Sequence, residues 1–411
     1  MIPTINTRLS KFVALLGVLL FFTPKINLVS IQQGESAGIR VDDIIICIIF
    51  LIFIIGFFVV KRNSITRQEL IFTLLIISFL ISNLSNIYLW RQSNILYSIR
   101  YVEYFLFFYI GYYYSLHYDI SRVIFWIILI NGIVMILQML NIVGGFASGG
   151  FSDSTSERAI GLTGGPWEIG AIINFVFSIY LFGERRYSNF QMNVIFLVTF
   201  SLILITGARM PTLANLLLFL IYRYSKSTNK IFFISSVTIY SLLIIGVLLF
   251  IPNPVTDRSA NLLSVENINQ FVDSYKQIQV NHPFQGFGDE TDMTALGDMS
   301  WLFRISKWTY AIKDFSSLPY SWFFGLGPGL WGLALDGGWV RLITETGVIG
   351  TLIFIIFFYK AARLTKALRG VVLSLYINMI MIDIHISYKA MAFVFFTVGY
   401  YYQKSLLPKQ I

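Results

Sequence analysis

The chain has 411 residues, of which 56% are hydrophobic and 12% charged, and its mean hydropathy is +0.72. Soluble domains are about 45–50% apolar and ~25% charged, so this composition excludes a soluble enzyme, a disordered chain and a disulfide scaffold. We attribute the net charge of +9 to lysines and arginines of cytoplasmic loops rather than to nucleic-acid binding. One cysteine, Cys47, and three scattered histidines predict neither a disulfide nor a metal site.

The apolar residues fall into separated runs of about 15–22 residues, and a membrane-spanning helix needs ~20. We therefore predict an all-α, polytopic bundle of about twelve transmembrane helices, with eleven or thirteen as alternatives. Pro24 interrupts the first helix, which we expect to be a span rather than a cleaved signal peptide. The twelve ranges are 10–31, 44–60, 70–89, 95–116, 123–143, 166–183, 190–206, 210–223, 231–251, 338–359, 371–387 and 390–403.

Basic residues set the predicted orientation. If the N-terminus is cytoplasmic, the inner segments hold 17 of the 30 lysines and arginines, as the positive-inside rule expects. Both termini are then cytoplasmic. Residues 1–251 contain the first nine helices, residues 252–337 form one long outer loop, and residues 338–411 contain the last three helices. Tryptophans such as Trp301 and Trp308 in the long loop predict a periplasmic cap of short helices rather than disorder.

Every even-numbered helix of this topology begins at the outer face, where free N–H groups and a partial positive charge suit an anion. Gly164 and Gly165 end the glycine-rich outer loop 144–165 and precede one such helix. Arg209 precedes another, and Asp336 stands two residues before a third. These three starts are candidate anion sites.

Several arginines lie at the outer face, against the usual charge bias. A guanidinium fork matches phosphate oxygens, so we predict a site for a lipid-linked phosphate or pyrophosphate. The candidate ligands are Arg40, Arg100, Arg158, Arg209, Arg304 and Arg341. The alternative is that these arginines form structural ion pairs. The pairs would be Arg40 with Asp42 or Asp43, Arg100 with Glu103, and Arg341 with Glu345.

Asp336 is the candidate general base, placed to take a proton from a sugar hydroxyl. The alternative role is a helix N-cap, which aspartate favours. His282 is a second candidate base. Gly325–Gly329 is either a site loop or a plain turn. The polar side chains that we expect to line the cavity are Glu103, Glu168, Asp383, His385 and Lys389.

These motifs, in this order, resemble the Wzy-type O-antigen polymerases of the O-antigen ligase and polymerase superfamily. Four segments carry the resemblance: Gly161-Leu-Thr-Gly-Gly-Pro-Trp-Glu-Ile-Gly170 after Arg158, Thr206-Gly-Ala-Arg209-Met-Pro-Thr, Arg304-Ile-Ser-Lys-Trp308, and the stretch from Phe324 through Asp336 and Arg341 to Gly350. Ligases of the superfamily carry a histidine near the position of Asp336–Trp339. No histidine stands there in this chain, which favours polymerase over ligase.

The resemblance implies a GT-C-like, metal-independent glycosyltransferase of the bacterial inner membrane that needs no cofactor and faces the periplasm. A growing glycan on undecaprenyl pyrophosphate would be the donor, and the non-reducing sugar of a new lipid-linked repeat unit the acceptor. A flippase and a chain-length regulator would be partners. Asp336, Arg341 and Arg209 would be catalytic. The residues expected to bind pyrophosphate or glycan are Arg158, Arg304, Gly164, Gly165, Arg100, Arg40, Trp308 and His282.

Three other functions are alternatives. One is a ligase that moves glycan to another acceptor. Another is a flippase or transporter of lipid-linked sugars, which the lack of a clear internal repeat and the long outer loop disfavour. A third is a cell-wall polymerase of the shape-and-division family, whose motifs we do not find.

Overall fold

The computed structural model describes the chain in several stretches, and all structural statements below refer to them. The stretches are 7–24, 27–30, 38–59, 67–85, 92–146, 158–227, 231, 234–235, 237–239, 299–331 and 335–406. Four features of the sequence prediction lie outside these residues: His282, most of the span 231–251, most of the long loop before 299, and 147–157 of the glycine-rich loop. The side chains of Arg40 and Trp301 also lie outside the description.

Within these stretches the chain is almost entirely helical, as predicted. The α-helices are α1 (Thr7–Leu19), α2 (Val41–Val59), α3 (Arg67–Ser85), α4 (Gln92–Ser115), α5 (Ile120–Met139), α6 (Pro166–Phe182), α7 (Asn189–Thr206), α8 (Arg209–Lys226), α9 (Met299–Ser316), α10 (Ser321–Phe324), α11 (Gly338–Ala362), α12 (Lys366–Asn378) and α13 (Tyr388–Leu406). A short 3-10 helix occupies Ile384–Ile386.

Two predicted spans are wrong in part. The helix predicted over 10–31 ends at Leu19, five residues before Pro24. The chain then forms β1 (Asn27–Ser30), which pairs antiparallel with β2 (Gly38–Arg40). The helix predicted over 371–387 ends at Asn378. The backbone carbonyl of Met379 instead accepts a hydrogen bond from the N–H of Trp339, at 3.1 Å, so a contact with α11 replaces the next helical turn.

In the described part of the chain, three helices are long and apolar enough to cross a membrane: α5, α7 and α11. Helix α6 is apolar but shorter. Helix α5 also presents large apolar side chains outwards. Phe125, Trp126, Ile133 and Ile136 are each about half exposed. Apolar side chains on an outward face are typical of lipid contact. These helices identify a membrane protein.

Helices α4 and α13 form the closest pair in the bundle, and glycine explains the approach. A Cβ at Gly111 would overlap the backbone carbonyl of Phe396, and a Cβ at Gly399 would overlap that of Phe108. Small residues allow backbones to approach in this way in membrane bundles. Aromatic rings fill the rest of the seam, including Tyr104 stacked on a phenylalanine of α13.

Helix α11 is broken inside the predicted span 338–359. Gly347 has φ +67° and non-helical ψ, a region that favours glycine. The carbonyls of Thr344 and Glu345 accept hydrogen bonds from the N–H groups of Leu326 and Gly327, at 2.8 and 3.0 Å. The segment Gly325–Gly329 is therefore docked against the break. The segment also contains a turn, in which the carbonyl of Gly327 accepts the N–H of Leu330 at 3.4 Å. One of the two interpretations, the turn, is therefore present, and a role as a site loop stays a prediction.

The helix ends sort into two groups. Helices α6, α8, α11 and α13 begin at one end of the bundle, which we call the site end. Lys389 at the start of α13 links two segments there, because its ammonium donates to the backbone carbonyls of Leu162, before α6, and Thr23, after α1. Helices α5 and α7 begin at the opposite end, where α4, α6 and α13 finish. At that end Tyr400 accepts a hydrogen bond from the N–H of Ile120.

Candidate functional site

A buried ion cluster lies just inside the start of α11. Arg341 is fully buried, and its guanidinium donates from Nε to Glu345 at 2.9 Å and from Nη1 to Asp383 at 3.0 Å. The structural ion pair with Glu345, which was the alternative interpretation of Arg341, is present. The second partner, Asp383, lies 42 residues away along the chain. The arginine therefore sits behind the surface, held between two carboxylates.

Asp383 anchors the loop that precedes α11. Its Oδ2 accepts the N–H groups of Leu335 at 2.7 Å and Asp336 at 3.2 Å, and its Oδ1 accepts that of Gly337 at 2.9 Å. These N–H groups form the helix start that we predicted to hold an anion. The anion at this start is a carboxylate of the chain itself, because a helix N-terminus attracts any negative group within reach.

Asp336 projects from this anchored loop. Its backbone has φ +57°, a region that aspartate tolerates better than most residues. The carboxylate pairs with Nε of Arg304 at 3.2 Å, and the two side chains are 41% and 23% exposed. The N-cap of α11 is Gly337 and receives no side-chain cap, so the N-cap role considered for Asp336 is wrong. Its part in catalysis stays a prediction.

Helix α9 supplies the other wall of this site. Trp308 donates from Nε1 to the carbonyl of Leu335 at 3.1 Å, and a Cβ at Gly337 would overlap the indole. Lys307 stands beside Asp336 and Arg304. Burial lowers the pKa of Lys307, an effect that Asp336 and Asp383 oppose. The partly exposed charges of the site are therefore Arg304, Lys307 and Asp336.

The start of α6 is also filled by an internal carboxylate. Glu168 accepts the N–H of Gly164 at 2.8 Å through Oε2. Its Oε1 accepts the hydroxyl of Ser387 at 2.5 Å and the N–H of Lys389 at 3.1 Å. Gly165 is the helix N-cap. The predicted anion site at Gly164 and Gly165 thus contains Glu168, which is buried.

The start of α8 differs from the other two. Its first turn contains no acidic residue, and its N-cap, Ala208, provides no side-chain hydrogen bond. Arg209 is the first residue of the helix, and Arg158 donates from Nε to the carbonyl of Thr206 at 3.2 Å. Two arginines therefore lie at one helix start whose first turn contains no acidic residue.

The segment 383–389 connects these starts. Asp383 holds the loop before α11, and Ser387 and Lys389 bind Glu168 near the start of α6. Arg100 of α4 donates to the carbonyl of Ile386 at 3.1 Å. The α8 start in turn packs on α6, because a Cβ at Gly170 would overlap Pro211. This short segment thus joins α4, α6 and α11 at the site end, where α13 begins.

Most of the predicted site residues lie at this end. Arg158, Gly164, Gly165, Arg209, Arg304, Trp308, Asp336 and Arg341 surround the three starts, and Arg100 joins them through segment 383–389. The backbone of Arg40 is in β2. The sequence analysis did not single out Lys307. Its position three residues after Arg304, within the motif Arg304-Ile-Ser-Lys-Trp308, was the signal that could have revealed it, because residues three apart share a helix face.

A scan against models of known protein families finds no match for this chain, and a search of curated proteins finds none either. The function is therefore inferred from the side chains of the site and from the resemblance of its motifs.

Proposed function

We propose that the chain is a glycosyltransferase that polymerises undecaprenyl-pyrophosphate-linked repeat units at the outer face of the bacterial inner membrane. The growing glycan is transferred to the non-reducing end of a new unit, and undecaprenyl pyrophosphate leaves. The bundle has about twelve spans with cytoplasmic termini, and residues 252–337 form a periplasmic cap. The site end is then the periplasmic end.

The observation that carries the proposal is the contrast between the three helix starts. Internal carboxylates occupy the starts of α6 and α11, whereas the α8 start has Arg158 and Arg209 and no acid in its first turn. A helix start with two guanidinium groups suits a phosphate. The leaving pyrophosphate would bind there, and the two arginines would neutralise the charge that develops on it.

Asp336 is the proposed base. It is the carboxylate of the anchored loop and is partly exposed, and its ion pair with Arg304 fixes its position. A carboxylate in this position can take the proton of the attacking sugar hydroxyl. Arg341 has an indirect role in this proposal, because it is buried and its guanidinium is paired with Glu345 and Asp383. It keeps the loop of Asp336 in place rather than touching phosphate.

The test is the size distribution of lipid-linked glycan in a strain that lacks the gene, complemented with variants. We expect single repeat units to accumulate without the protein. Arg209→Ala and Asp336→Asn should each lower polymer formation by ~10²-fold or more, as removal of an electrostatic or acid–base group does. Arg186→Ala, an exposed arginine at the opposite end, is the matched control and should restore normal polymer.

Two outcomes would favour one of the alternative functions instead. If long polymer still accumulates on undecaprenyl pyrophosphate without the protein, the missing step is ligation. If single units remain on the cytoplasmic side, the missing step is transport.

A further inference from the structure

A polar cavity of about 120 Å³ lies at the opposite end of the bundle, away from the proposed active site. It is formed where α5 begins and where α6 and α13 end. One ordered water needs about 10–15 Å³ of such volume, so the cavity accommodates a group of several non-hydrogen atoms. None of its lining residues takes part in the proposed glycosyl transfer.

The charges that line the cavity balance. Asp119 and Glu184 are acidic, and Arg185 and Lys404 are basic. Burial opposes ionisation of Asp119, but the backbone N–H and the hydroxyl of Ser121, helped by Lys404 and Arg185, lower its pKa below the usual value. Both signs of charge are therefore present in one small space. A simple anion would meet two carboxylates, and a simple cation would meet two basic groups.

Tyrosines separate the charged groups. Tyr400 is buried and accepts a hydrogen bond from the N–H of Ile120, and the ammonium of Lys404 lies close to its ring. That ammonium lies 5.1 Å from the centroid of the same ring, and the guanidinium of Arg185 lies 5.4 Å from that of Tyr187. Aromatic faces attract cations, so these two rings hold the basic side chains of the lining in place.

The cavity adjoins an apolar surface. Ser121 of α5 lines it, and the exposed side chain of Phe125 lies four residues further along the helix, with Trp126 beside it. Leu129, Ile133 and Ile136 continue this exposed surface along the helix. Residues four and seven or eight apart share one helix face. An acyl chain lying along α5 would therefore have its headgroup near the cavity.

We propose that this cavity binds the headgroup of a zwitterionic phospholipid with a primary ammonium, such as phosphatidylethanolamine. The phosphate lies against Arg185 and Lys404, and the ammonium donates hydrogen bonds to Glu184 and Asp119. A trimethylammonium headgroup has no N–H donor for the carboxylates, and a glycerol headgroup brings no positive charge. The site therefore selects the ethanolamine headgroup and lies in the leaflet opposite the proposed active site.

The test is lipid retention by the full-length protein, measured by native mass spectrometry after detergent exchange. The delipidated protein is offered equal amounts of phosphatidylethanolamine, phosphatidylcholine and phosphatidylglycerol with identical acyl chains. We expect one phosphatidylethanolamine to be retained at least tenfold more than either of the others. Equal retention, or preference for another headgroup, would overturn the proposal without any variant being needed.

A pair of variants locates the site. The double variant Glu184→Gln and Arg185→Gln removes one group of each sign from exposed positions and should abolish the headgroup preference. Arg186→Gln, an exposed neighbour outside the cavity lining, is the control and should leave the preference unchanged. A double variant that keeps full selectivity would place the lipid elsewhere and overturn the assignment. Polymer formation is a separate readout, so failure of either proposal can be told from failure of the other.

Discussion

At the level of single residues, Asp383 joins the loop before α11 to the buried Arg341. One carboxylate accepts three backbone N–H groups and pairs with the buried Arg341. Satisfying a buried arginine in this way offsets the cost of removing it from water, and losing one partner leaves the other charge uncompensated. Asp383 therefore positions both Arg341 and the loop of Asp336.

Asp383→Asn should destabilise the protein by ~3–5 kcal/mol, because an amide cannot neutralise Arg341 or accept all four donors. The measurement is the thermal unfolding temperature in detergent. Glu345→Gln removes the other charge beside Arg341 but leaves the backbone contacts of Asp383 intact, so we expect a smaller fall. Equal falls in the two variants would mean that the loop contacts add little.

Lys307 leads to a pH prediction. Burial lowers its pKa, so it loses its proton at a lower pH in the folded protein than in the unfolded chain. A neutral Lys307 no longer supplies positive charge beside the proposed base Asp336, and polymer formation should therefore decline as pH rises through the lowered pKa. Lys307→Arg keeps its charge throughout that range and should move the decline to higher pH. If polymer formation by the variant had an unchanged pH dependence, the charge of Lys307 would play no part at the substrate site.

Among the elements, the crossing of α4 and α13 depends on two glycines. A side chain at Gly111 or Gly399 would overlap the backbone of the other helix. The crossing also affects the site, because both helices are connected to segment 383–389. Helix α13 begins within this segment, and Arg100 of α4 binds it. Separating the two helices would move the anchor of the α11 loop.

Gly111→Leu and Gly399→Leu should each destabilise the protein by ~1–3 kcal/mol or more, which is the typical cost of an overpacked core. Thermal unfolding in detergent measures it. The control is Gly132→Ala in α5, where a Cβ would make ordinary contacts with Leu202 at 3.5 and 3.6 Å. A tolerated leucine at both crossing glycines would show that the pair can separate without loss.

For the whole molecule, the grouping of helix ends leads to a topology prediction. The sequence contains only Cys47, so Cys47→Ser gives a background free of cysteine. In it, Ser316→Cys in the predicted cap and Arg186→Cys at the opposite end are both at exposed positions. A membrane-impermeant thiol reagent applied to intact spheroplasts should label the first and not the second. The reverse pattern would invert the proposed orientation.

The sequence alone determined the class of protein and most of the helices. Runs of apolar residues of spanning length carry that information locally, and so do the starts at Pro166 and Gly338, which the structure confirms. The strand Asn27–Ser30 and the end of α12 at Asn378 could not be predicted, because each depends on a partner outside its own segment. The partner of the strand is β2, and that of Met379 is Trp339. Apolar residues are compatible with helix and strand alike.

For the candidate site, too, one part could be predicted from the sequence and the other only from the tertiary structure. The sequence identified the arginines, the glycines and Asp336, since arginine at an outer helix start is unusual by itself. Only the tertiary structure decided that Asp383 and Glu168 fill two of the three starts, while the start at Arg209 has no acid in its first turn. Contacts over 46 residues of sequence, as between Gly337 and Asp383, arise from packing. No local pattern encodes them. That the α8 start, with Arg158 and Arg209, binds an external anion stays a prediction.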